Sequence, residues 1–147
     1  MRLSIGALVL AISLTATIAA AEPPPATDGK AFGVTDEARC HLLTNVASQL
    51  RGTVIGGVEG NRGQQNVLDC SAAFAAAGLN VVPDIPAARR SQDQHAWLFT
   101  MPQYLDAKSA VVFAGDVCPT CGHGEAVTVT LEGDYWKVTG RETTWMS

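Results

Sequence analysis

The residue types able to do chemistry gather late in the chain, in Cys118-Pro119-Thr120-Cys121-Gly122-His123-Gly124-Glu125, with Asp116 just ahead of them. Two thiols at this spacing admit three chemistries. A thioredoxin-type redox pair needs its first cysteine at a helix N-terminus, where the dipole lowers the thiol pKa. Here glycines and then a strand-like run follow Cys121. A zinc knuckle presents two thiolates to a tetrahedral ion. No second Cys-x-x-Cys exists, so Cys40, Cys70, His41 or His123 would have to complete the ligand set. A disulfide across a turn needs only that residues i and i+3 lie within about 7 Å, which a disulfide can bridge. The sequence is read in this third way: Cys118 pairs with Cys121, and Cys40 and Cys70 are left to pair with each other. Neither a metal nor a cofactor is expected.

The three histidines are His41, His95 and His123. A general base needs a partner that orients it. Glu125 and Asp116 stand near His123 in sequence, whereas His41 reads as a helix-surface residue and His95 as a surface or rim residue. The candidate binding loop is therefore Cys118, Cys121, His123 and Glu125. No residue is assigned a catalytic role, because the chain contains no Gly-x-Ser-x-Gly elbow, phosphate loop or His-Glu-x-x-His helix.

The elements that must position this loop are legible in part. Thr35 is an N-cap, with Asp36 and Glu37 favourably placed against the helix dipole. Ala38, Leu42, Val46 and Leu50 then form one apolar stripe, which Gly52 ends. A short strand over Thr53–Val58 and a polar loop over Glu59–Gln65 lead to a second helix at about Asn66–Ala77, rich in alanine and left through Gly78. Leu79–Val82 reads as a strand, and Ala87–Gln94 as exposed and polar. His95–Thr100 is strand-like, Pro102 opens one turn of helix ending near Lys108, and Ala110–Gly115 is a buried apolar run. Val127, Val129 and Leu131 alternate with Thr128, Thr130 and Glu132, the period of a half-buried strand. Gly133-Asp134 turns the chain into a last strand through Trp136 and Val138 to Trp145. Trp97, Trp136 and Trp145 are expected in the core, and Tyr135 outside it.

The first 21 residues have the layout of a cleavable export signal. Arg2 is followed by an uncharged run from Leu3 to Ile18, and Ala19-Ala20-Ala21 supplies small residues before Glu22. The strongly apolar part is short of the roughly 20 residues that span a bilayer. Residues 22–34, with three consecutive prolines, read as an extended linker, and 35–147 as a single domain. Loss of Arg2 with the signal leaves 9 basic and 14 acidic residues in a mature chain of 126, a formal charge of −5. Those charges are scattered, which argues against nucleic acid as a partner and against a membrane surface once the signal is removed. The expected compartment is the periplasm or the exterior, where thiols oxidise.

The last third of the chain resembles the tail of small exported bacterial proteins of unassigned function. The features that carry this are Cys121-Gly122-x-Gly124, Leu131-x-Gly133-x-x-Trp136-x-Val138 and Trp145-x-Ser147. The resemblance implies a C-terminal hairpin and no activity. The expected fold is α+β, two N-terminal helices packed on a C-terminal antiparallel meander. Two functions compete. One is a non-catalytic exported domain that binds or inhibits a protein partner in the cell envelope, or serves the envelope as an accessory. The other is a small periplasmic enzyme, hydrolytic or thiol-redox, working through Cys118, His123 and Glu125. A pocket holding His123 with a carboxylate would favour the enzyme; a protruding convex loop would favour the binder.

Overall fold

The computed structural model describes residues 27, 29–60, 64–90, 95–118 and 122–146. The expected signal peptide, most of the expected linker, and Pro119, Thr120 and Cys121 of the candidate loop lie outside the described residues.

The first helix forms where its capping residues place it. In α1 (Asp36–Leu50) the Thr35 hydroxyl accepts from the Ala38 amide at 3.1 Å, and Asp36 and Glu37 occupy the first turn. Leu42, Leu43, Val46 and Ala47 are buried on its inner face. The helix ends at Arg51, a non-glycine residue with φ of 63°, and Gly52 follows with φ of 103°.

Nine strands follow among the described residues: β1 (Thr53–Ile55), β2 (Gly57–Gly60), β3 (Gln64–Asp69), β4 (Val81–Val82), β5 (Ala96–Phe99), β6 (Gln103–Asp106), β7 (Ser109–Val117), β8 (Gly122–Glu132) and β9 (Tyr135–Met146). Two short helices, α2 (Ser71–Ala76) and α3 (Ile85–Arg90), interrupt them. Seven strands make one mixed sheet in the order β4-β1-β5-β7-β8-β9, with β6 also paired to β7. β1 runs parallel to β4 and β5, while β5, β7, β8 and β9 are antiparallel neighbours. β2 and β3 form a separate hairpin.

This overturns the expected fold class. Among the described residues strand predominates, in a mixed sheet, and only α1 of the three helices reaches seven residues. The differences have local causes. Asn66 to Asp69, read as the start of a helix, lie in β3 opposite β2, and the alanine-rich helix begins only at Ser71. Cross-strand pairing outweighs helix propensity there. The segment after Pro102 is strand β6, because Gln103 and Tyr104 pair with Val111 and Ala110 and Tyr104 is buried. Residues 85–90, read in part as an exposed polar stretch, form α3, and Ala88 packs with Ile55 and Ala96. The expected meander of β7, β8 and β9 is present, but as the antiparallel half of a larger sheet.

Two cores result. α1 and α2 cover one face, where Leu42, Leu43, Val46 and Phe74 meet Trp97, Phe99, Val112, Val127, Val129 and Trp136. α3 covers part of the other face over Ala96, Leu98 and Val117. Trp97 and Trp136 are buried as expected, Tyr135 is exposed, and Trp145 corrects the expectation by standing half exposed. Cys40 and Cys70 are joined, tying α1 to the start of α2. Cys118 is also disulfide-bonded; its expected partner Cys121 lies outside the described residues.

The last strand of the sheet, β9, is partly satisfied by α1. Asn45 Oδ1 accepts from the Trp136 amide at 2.8 Å, and Gln49 Oε1 accepts from the Val138 amide at 2.9 Å. Gln49 Nε2 donates to the Trp136 carbonyl at 2.9 Å. Two helix side chains thus do for this edge what a further strand would do, and protect it from pairing with another chain. This contact fixes the C-terminal end of α1 over the sheet, where the candidate site lies.

Candidate functional site

Strand register builds the site. Trp97 on β5 stands opposite Asp116 on β7, which stands opposite His123 on β8. Directly opposed residues share a face, so this row points toward α1. Glu125 is two residues from His123 on β8, and His95, immediately before β5, is two residues from Trp97, so both share that face. Arg141 on β9 pairs with Val127 and reaches back to Glu125.

These side chains form a continuous polar chain. Asp116 Oδ2 meets His95 Nδ1 at 2.6 Å and His123 Nδ1 at 3.3 Å. His123 Nε2 meets Glu125 Oε1 at 3.0 Å. Arg141 closes the chain with a bidentate pair, donating from Nε to Glu125 Oε2 at 2.7 Å and from Nη2 to Oε1 at 2.8 Å. The planar guanidinium matches the carboxylate geometry, the stronger form of such a bond. The Trp97 ring meets His123 edge-on at 5.7 Å, and its indole N–H donates to the Arg51 carbonyl at 2.6 Å.

Burial sorts the charges. The Asp116 and Glu125 side chains are 1% and 9% exposed, whereas those of His95 and Arg141 are 57% and 46% exposed. The two acids lie behind and the bases in front. Glu125 titrates below its ordinary value: the Arg141 hydrogen bond lowers it most, burial opposes this, and His123 adds a smaller lowering. The same pair raises Arg141. Asp116 Oδ1 is buried and has no hydrogen-bond partner among the described residues.

A cleft of about 280 Å³ opens on this chain, lined by Leu50, Arg51, Gly52, His95, Trp97, His123 and Arg141. Its polar lining side chains are basic or, for Trp97, a donor already bonded to the Arg51 carbonyl. The Arg51 side chain has no acidic partner among the described residues. Asp116 holds His95 at Nδ1, and no partner meets its Nε2 among the described residues. Both nitrogens of His123 face carboxylates, so it bridges them and offers no free nitrogen to a ligand.

Of the expected site, His123 and Glu125 are brought together, but on strand β8 and not on a loop. Cys118 is buried, and Cys121 lies outside the described residues. Sequence reasoning missed His95 and Arg141, since β5 and β9 approach this point only through the sheet. The alternation that puts His95 on the same face as Trp97 was the available signal. Among the described residues no group of three or more His, Cys, Asp or Glu side chains could hold a metal ion, and no helix is long and apolar enough to cross a membrane. Comparison with protein-family models, curated proteins and solved structures finds no match.

Proposed function

We propose that the chain is an exported, disulfide-bonded binding domain that acts through the cleft between the end of α1 and strands β5, β8 and β9. Export rests on the charge-poor start of the chain with its Ala19-Ala20-Ala21 and on the Cys40–Cys70 bridge, which suits an oxidising compartment. The observation carrying the binding reading is the division of labour in the polar chain. Buried Asp116, through Oδ2 alone, and Glu125, through both oxygens, orient His95, His123 and Arg141, two of which present uncommitted donors or acceptors to the cleft. Pre-oriented polar groups beside the apolar surfaces of Leu50 and Trp97 are what a small-molecule site requires. The test is backbone amide mapping by NMR with a library of charged and neutral fragments. Shifts clustered on Gly52, Trp97, His123 and Arg141 support the reading; hits confined to other surfaces refute it.

One observation favours a hydrolytic enzyme as the second reading. His95 with its Nδ1 on buried Asp116 has the form of an oriented general base. No serine, threonine or free thiol lines the cleft, so water would be the nucleophile. Turnover of nitrophenyl phosphate or acetate that disappears in His95→Gln would establish it. An enzyme working through Cys118, His123 and Glu125 has less support, because Cys118 is bonded and neither nitrogen of His123 is free.

A further inference from the structure

We infer that the ligand of this cleft carries an oxyanion, a carboxylate or a phosphate- or sulfate-type group; this rests on the binding reading above. The Arg141 guanidinium uses Nε and one hydrogen of Nη2 on Glu125, which leaves its other N–H donors uncommitted. His95 presents Nε2 from the adjacent wall. Arg51 brings a third base to the rim, and no carboxylate lines the cleft.

Arg51 holds an unusual position for its type. Its φ of 63° is one that glycine adopts readily and an arginine adopts at a cost. The residue stands at the C-terminal end of α1, where a positive charge is favourable, yet an exposed lysine or arginine one residue earlier would serve the dipole without the backbone penalty. Its placement is accounted for if the guanidinium is needed at this rim.

Arg51 from the end of α1 and Arg141 from β9 are the cationic side chains of the cleft, and the carboxylates of Asp116 on β7 and Glu125 on β8 lie buried behind it. The cleft volume, about 280 Å³, fits one oxyanion with a few carbon atoms against Leu50 and Trp97.

The test uses sodium sulfate and sodium formate as probes. Binding is followed by amide and indole shifts at neutral pH and fixed ionic strength, for the wild type and Arg51→Gln. We expect at least one probe to bind at the cleft, with shifts clustered on Gly52, Trp97 and Arg141. Arg51→Gln, at an exposed position with no acidic partner among the described residues, should weaken binding several-fold. Preference for formate or for sulfate separates a carboxylate ligand from a tetrahedral one. Failure of both probes in the wild type, or unchanged affinity in Arg51→Gln, overturns the inference. If neutral fragments still map to the cleft, the binding reading survives that failure; if nothing maps there, both fall together.

Discussion

Asp116 and His123 are direct cross-strand partners on β7 and β8, and the same Asp116 oxygen that reaches His123 also holds His95 at 2.6 Å. One buried carboxylate therefore sets the orientation of two imidazoles on neighbouring strands. Asp116→Asn keeps the shape but offers a single carbonyl acceptor and brings an amide that must find its own partner. Stability should fall by about 1–3 kcal/mol. Urea unfolding measures this directly, and an unchanged midpoint would remove Asp116 from its organising role.

Glu125 gives the fold an acid-sensitive component. Its folded pKa lies below the ordinary value of 4.5, chiefly through Arg141. The unfolded chain therefore takes up the proton first as pH falls. The stabilisation is complete above about pH 4.5 and is lost as pH drops through the lower folded value. In Glu125→Gln this part of the acid destabilisation should vanish, read as a flatter dependence of the urea midpoint on pH. Arg141→Gln should cost about 1–3 kcal/mol at neutral pH, because it strips the buried carboxylate of its bidentate partner.

On the inner face of α1, Asn45 accepts from the buried Trp136 amide. Asn45→Ala leaves that amide unpaired and should cost about 1–3 kcal/mol. It also uncovers part of the β9 edge, so self-association should increase. Unfolding midpoint and light scattering check the two halves of this prediction, and wild-type values in both would contradict it.

The Cys40–Cys70 bridge spans a sequence separation of 30. Chain-entropy reasoning assigns such a closure roughly 3.5 kcal/mol. Replacing both cysteines by alanine should lower stability by about that amount while leaving the circular dichroism spectrum native. A loss below roughly 1 kcal/mol would mean that the unfolded chain already holds these segments together.

What the sequence disclosed and what it hid follow from the range of the interactions. Thr35, Asp36 and the stripe through Leu42 and Val46 specify α1 locally, and the alternation around Val127 specifies β8; both formed. The parallel half of the sheet was hidden, since β1 and β4 are three and two residues long and are defined only by their neighbours. The alanine run after Ser71 suggested a longer helix because nothing local records that Asn66–Asp69 face β2. At the site, His123 and Glu125 are two residues apart and could be paired by eye. His95 is separated from Asp116 by 21 residues and Arg141 from Glu125 by 16, and only strand register brings these together.

The most direct test of the account is a crystal structure of the protein with the tightest compound from the fragment screen. The account predicts ligand atoms within hydrogen-bond distance of His95 Nε2 and Arg141, with Asp116 and Glu125 still engaged behind them. A ligand seated elsewhere, for example between α1 and α2 beside Asp69 and Ala73, with this cleft holding only solvent, would contradict it.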